Sequence, residues 1–267
     1  MPFTASHALV ALPFVRTPLV PAAIAIGAMT PDLPLFTHGI GASYGFTHSA
    51  SNTVWTALIA LGLLVVWRTA LRPALVLLAP DAVAARLPGS WRRTGLAAVA
   101  ELFAPRGTGP VRVALAGLLL AVSLLLGVLS HIVWDLFTHE GRWAVAAIPL
   151  LEADWGPMPG YKWLQHGSSA IGLLIIAVYA LLWLRGRSAE RAVRTLPAWL
   201  RWSWYSTLPV ALITGWCVGL VVHGPPGQEL TVQQLAYRTL PAACGVWGAA
   251  SLVLCIAVVA ATGRHRA

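Results

Sequence analysis

The sequence predicts an all-α, polytopic membrane protein of about five transmembrane helices plus an N-terminal helical hairpin. Three observations carry this. Of 267 residues, 58% are apolar and only 10% charged, against roughly 25% charged in an average soluble domain. The mean hydropathy is +0.73. The apolar residues gather in runs near the ~20 residues a helix needs to cross the hydrocarbon core. These values exclude an ordinary soluble domain and a disordered chain.

The first element, residues 8–29, is apolar enough to enter lipid, but Pro18 and Pro21 interrupt it. Proline lacks an amide donor and clashes with the preceding turn. Two pieces of about ten residues each rise only about 15 Å as α-helix, half the core. The expectation is a hairpin that dips in and returns His7 and Asp32 to one side. No basic region precedes this stretch, so it does not read as a signal peptide.

Five spans follow: Asn52–Trp67, Val113–Phe137, Ser168–Leu184, Ser206–Val222 and Ala242–Ala261. With the N-terminal side placed outside, the segments 68–112, 185–205 and the tail carry 14 Arg/Lys, and the outer segments carry 4. That alternation obeys the positive-inside rule without exception. It also accounts for the net charge of +9: the basic excess sets topology, so a nucleic-acid partner is not expected. Membrane lipid is the expected partner, and the bacterial inner membrane the expected location. Cys217, Cys244 and Cys255 sit inside apolar runs and read as small core residues. Residues 1–184 form the expected site-bearing core. Residues 185–267 hold an Arg-rich loop and two accessory spans.

Ionisable groups near membrane helices are costly, so those present are functional candidates. Seven of eight histidines fall on the predicted outer side, namely His7, His38, His48, His131, His139, His166 and His223. So do Asp32, Asp135, Glu140, Glu152, Asp154 and Glu229. The strongest local pattern is His131–Asp135–His139. Its i, i+4, i+8 spacing stacks three side chains on one helix face near the outer end of the second span, with Gly141 as the helix stop. Imidazole and carboxylate four residues apart can share a divalent ion. Thr30-Pro31-Asp32-Leu33-Pro34 reads as a turn. Phe46-Thr47-His48-Ser49 precedes the first span, and Gln165-His166-Gly167-Ser168-Ser169 opens the third. Together His7, Asp32, His48, His131, Asp135, His139 and His166 converge at the outer helix ends. Seven nitrogen and oxygen donors exceed one tetrahedral site and suit two or more metal ions and, with paired ions, phosphoester or amide hydrolysis. No Ser-His-Asp, Walker or GxGxxG pattern competes.

These residues resemble a bacterial inner-membrane family of metal-dependent hydrolases, with an early His, a Pro-Asp motif, Thr-His-Ser and Ser130-His131-x-x-x-Asp135-x-x-Thr138. Met1-Pro2-Phe3-Thr4-x-Ser6-His7, Pro31-Asp32-Leu33-Pro34 and Gln165-His166-Gly167-Ser168-Ser169 resemble one branch of it. The resemblance covers residues 1–184 and extends, more distantly, to zinc-dependent phospholipases C and zinc single-strand nucleases. It implies that Asp32, His48, His131 and Asp135 hold one zinc ion. It also implies that His139 and His166 contribute to a second and His7 with Asp135 to a third. Ala170 stands where the soluble enzymes place a Glu, and the Asp135–His139 spacing is shorter than theirs. The expected activity is hydrolysis of phosphoesters or lipid-linked phosphates. Asp32 is the expected base, with Glu140, Glu152 and Asp154 as alternatives. A metal transporter or sensor, or a non-catalytic membrane protein, would use the same site. Transporters, however, place ligands near the midplane, and spans three to five contain no Asp or Glu.

Overall fold

A computed structural model describes residues 4–38, 40–103, 109–190, 196–228 and 230–264. His265, Glu229, Arg106, Arg191, Arg194 and Arg266, which figured in the charge and histidine readings above, lie outside the described residues. Among those described there is no β-strand, and five helices are long and apolar enough to cross a membrane. The chain is a multi-pass helical membrane protein.

The N-terminal hairpin is present. Its first arm, Thr4–Phe14, is a 3₁₀ helix, and its second, α1, runs Pro21–Met29 with proline in the first turn. Proline is tolerated there because that amide would be unpaired anyway. At about 2.0 and 1.5 Å rise per residue the arms reach about 22 and 14 Å, both short of the hydrocarbon core. The first arm is longer than an α-helical reading gives, because 3₁₀ geometry is more extended.

The five long helices are α2 (Ala50–Leu78), α3 (Pro110–Thr138), α4 (Gly160–Arg185), α5 (Ala198–His223) and α6 (Val232–Thr262). Each outruns the span expected from hydropathy, α2 most of all. It continues past Trp67 through Arg68 and Arg72 because a π-turn at Trp67–Leu71 leads into Pro73, which sits in the first turn of the following segment. Pro209 and Pro241 likewise sit inside α5 and α6, as membrane helices permit where freed carbonyls are re-satisfied. Along α4, Ile171, Leu174, Ile175, Val178, Leu181 and Leu182 are exposed, an arrangement that suits lipid and not water.

The chain divides into two compact units. The first comprises Met1–Leu33, Ala42–Val65 and Val99–Gly186. Here α1 crosses α3 backbone to backbone. A Cβ on Gly27 would lie 2.6 Å from the Leu124 carbonyl oxygen, and one on Gly127 2.8 Å from the Ala28 nitrogen. The first arm packs on α4, where a Cβ on Gly172 would touch Ser6 at 3.3 Å. The Ser123 hydroxyl accepts from the Val20 amide at 2.9 Å and fixes the start of α1. Gly27→Ala and Gly127→Ala should each cost about 1–3 kcal/mol, the usual penalty of overpacking. Thermal unfolding in detergent measures this, and a wild-type Tm in both variants would contradict the crossing.

The second unit comprises Pro34–Gly41, Val66–Ala98 and Arg187–Ala267. Its α5 and α6 pack through Gly215 against Ala243 and through stacked Trp204 and Trp247, and the Trp247 indole donates to Thr207 Oγ1 at 2.8 Å. Arg201 pairs with Asp81 at 2.7 Å.

The hairpin predicts that Ala5→Cys and Ser43→Cys react with an impermeant maleimide from the same side of intact cells. Labelling from opposite sides would mean that residues 7–31 cross the membrane.

Candidate metal centre

The centre lies in the first unit, where the C-terminal turns of α3 meet the residues before α2 and the turn after α1. The packing of α1 along α3, with the Thr30–Asp32 turn against both α3 and the Tyr44–Thr47 helix, puts these ends together. His131 and Asp135 occupy successive turns of α3 and are almost fully buried. Asp32 closes the Thr30–Asp32 turn at the end of α1, and His48 ends the short helix Tyr44–Thr47. The Thr47 hydroxyl donates to the Pro31 carbonyl at 2.7 Å, tying these two segments together.

Backbone carbonyls set both imidazoles. A carbonyl can only accept, so His131 Nδ1 donates to Ala28 O at 2.7 Å and His48 Nδ1 to Tyr44 O at 3.0 Å. Each Nε2 then carries a lone pair, and the two face each other 3.2 Å apart. His48 Nε2 lies 3.4 Å from Asp135 Oδ2 and 3.8 Å from Asp32 Oδ1; His131 Nε2 lies 3.5 and 3.6 Å from the same atoms. An ion bound tetrahedrally at about 2.0–2.1 Å separates its ligands by about 3.3 Å. The five separations run from 3.2 to 3.8 Å, from that figure to about half an ångström above it.

Two nitrogen lone pairs and two carboxylate oxygens pointing at one another repel unless a metal ion, or a proton on one Nε2, sits among them. The unpaired atoms agree. Both Asp135 oxygens and His7 Nε2 are buried with no hydrogen-bond partner, a condition rare in folded proteins. Asp32 differs, because Thr4 Oγ1 donates to its Oδ2 at 2.7 Å and leaves Oδ1 facing the imidazoles. Burial pushes the Asp32 carboxyl above its usual range, opposed by His131 and the Thr4 hydroxyl. Burial, reinforced by His131, lowers His7 to about 3. At neutral pH His7 is therefore an uncharged donor, its ring stacked on His131 with centroids 4.0 Å apart.

Two triads have donor atoms within 4.8 Å of one another, His7–Asp32–His131 and His48–His131–Asp135. His131 belongs to both, and its Nδ1 is committed to Ala28. The triads therefore share one donor atom, Nε2, and describe one centre.

The remaining expected residues are placed differently. Helix α3 ends at Thr138, and His139 is extended, with φ −126° and ψ 136°. It is not the third rung of a helical stripe ending at Gly141. His166 is exposed on α4, away from the cluster, while its neighbour Gln165 is buried and reaches His139 Nε2 at 3.2 Å. Sequence reasoning passed over Gln165, although Tyr161, Gln165, Ser169 and Gly172 form a buried stripe at helical spacing. Glu140, Glu152 and Asp154 are exposed, and Glu140 accepts from the Tyr161 hydroxyl at 3.2 Å. His38 and His223 belong to the second unit.

Fold and site together define a multi-pass helical membrane protein with a buried His/Asp cluster that has the donors and spacing to hold a metal ion. The chain belongs to the family described as Domain of unknown function (DUF4184), whose model matches residues 1–261. No curated protein and no solved structure matches it.

The Thr4 contact makes a smaller prediction. Thr4→Val should free Asp32 Oδ2 and weaken metal affinity roughly 10-fold, the low end for loss of a supporting hydrogen bond. Competition with a chromogenic chelator measures it; an unchanged Kd would show that Asp32 needs no such support.

Proposed function

We propose that this protein is a metal-dependent hydrolase of the bacterial inner membrane, using zinc and acting on phosphoesters, with lipid-linked phosphates as the substrate class. The observation that supports it best is the set of four converging donors, Asp32 Oδ1, His48 Nε2, His131 Nε2 and Asp135 Oδ2. Two imidazoles and two carboxylates are a zinc-type donor set. Their two negative charges balance a divalent cation, so burying the filled site carries little net charge. When bound, a divalent ion supplies Lewis acidity for a developing phosphoryl charge and acidifies water at neutral pH.

The chain's own residues do the rest. Ala28 and Tyr44 hold the two imidazoles in the tautomer that exposes Nε2. Thr4 holds Asp32, the carboxylate proposed to orient the attacking water and receive its proton. Among the four acids considered for that role, only Asp32 is buried in the cluster. The site sits at the ends of α2 and α3, the level at which lipid headgroups meet a membrane helix, and this supports a lipid-borne substrate.

The test is hydrolysis of bis(p-nitrophenyl) phosphate and of phospholipid vesicles by purified protein. Activity should vanish on chelation and return with zinc. A protein that binds zinc stoichiometrically yet hydrolyses neither substrate would overturn the enzymatic reading.

A further inference from the structure

The ring of His139 is enclosed by fixed partners. The Thr138 hydroxyl donates its one hydrogen to the Trp134 carbonyl at 3.2 Å, so toward His139 Nδ1, also 3.2 Å away, it can only accept. Asp135 Oδ1 lies 3.4 Å from the same nitrogen and, when ionised, is likewise an acceptor. Two acceptors facing Nδ1 place the proton there. Nε2 then carries the lone pair, and the Gln165 amide meets it as donor at 3.2 Å. Gln165 is almost fully buried, and the Ser169 hydroxyl donates to its backbone carbonyl at 2.7 Å one turn further along α4. With a proton on one nitrogen and a donor on the other, His139 has no lone pair left for an ion.

We propose that His139 is a positioning residue, fixed by Gln165, which presents its Nδ1–H to the outer oxygen of Asp135 and is not a metal ligand. This rests on the reading of Asp135 as a ligand through Oδ2. Asp135 is otherwise without a hydrogen-bond donor, and ligating carboxylates generally need one to keep their orientation. At 3.4 Å the His139 contact is long for a hydrogen bond, and it should be shorter in the metal-loaded protein. Gln165 and His139 thus serve Asp135 as Thr4 serves Asp32.

The experiment loads full-length protein in detergent with Co(II). It compares wild type, His139→Ala, His139→Asn and Gln165→Leu by X-ray absorption, which counts imidazole ligands, and by competition for Kd. All three variants should keep the wild-type imidazole count. Affinity should fall about 10–100-fold in His139→Ala and in the same direction in Gln165→Leu. His139→Asn should restore it to within a few-fold, because its Nδ2–H occupies the place of Nδ1–H. Loss of one imidazole from any His139 variant, or wild-type affinity in both His139→Ala and Gln165→Leu, overturns the proposal. If His139→Ala does not fold, the imidazole count of His139→Asn and the affinity of Gln165→Leu decide it. Wild-type protein that takes up no Co(II) would overturn the metal reading itself, a result distinct from any change confined to the variants.

Discussion

The double variant His131→Ala, Asp135→Ala should bind no metal ion, while the wild-type protein binds one per chain. The geometry makes this effect close to total. His131 Nε2 is the donor atom common to both triads, so neither triad survives its removal. Asp135 supplies one of the two charges that balance the ion. The packing of α1 on α3 runs through Gly27, Gly127, Ala28 and Leu124, but His131 is fully buried and bonds the Ala28 carbonyl, so its truncation costs a cavity and a hydrogen bond. Loss of two buried carboxylate oxygens that have no partner offsets part of that cost, so the Tm of each protein is compared with its own value before zinc is added. Adding zinc at a hundredfold excess over Kd stabilises a binding-competent protein by about 2.7 kcal/mol, or about 5 °C or more in Tm. Wild type should show that rise, and the variant none. Elemental analysis gives the stoichiometry directly. Unchanged metal content in the double variant would remove this cluster from consideration, and two or more ions per wild-type chain would contradict the shared donor.

Much of this site was legible in the sequence, for identifiable reasons. His131 and Asp135 stand four apart in an apolar helix, where neither has a bland explanation. Pro18 and Pro21 forced the hairpin that brings His7 and Asp32 together. The span count followed from the apolar runs and agreed with Arg placement, but the span ends did not: charged and proline residues such as Arg72 and Pro73 signal a stop, and the π-turn that carries α2 past them leaves no sequence mark. The family resemblance gave His166 a ligand role and Gln165 none, yet one residue on a helix is a turn of about 100°. The buried stripe Tyr161, Gln165, Ser169 and Gly172 fixes which face of α4 points inward. His139 lies beyond the helix end, where periodicity no longer applies. The carbonyls of Ala28 and Tyr44, which set both imidazole tautomers, were invisible because any residue offers one.

Asp32→Asn should abolish hydrolysis and reduce metal affinity without dismantling the site. The substitution keeps the shape of the side chain and its acceptor oxygen, so the Thr4 hydrogen bond at 2.7 Å can persist. It removes one of two negative charges, leaving a buried divalent ion with a net positive charge, which is costly to desolvate. It also removes the only buried carboxylate proposed to take a proton from water, and loss of a general base lowers a rate by about 10²–10⁴-fold. Raising zinc until the variant is saturated separates the two effects: occupancy returns and activity does not. The measurement is phosphodiester turnover at saturating zinc, with occupancy determined on the same samples. A saturated Asp32→Asn protein that turns over like wild type would assign Asp32 to metal binding alone. Equal activity in Asp32→Asn and in the metal-free His131→Ala, Asp135→Ala double variant would place the hydrolysis outside this centre altogether. The cluster would then be a site that holds an ion without performing chemistry on it.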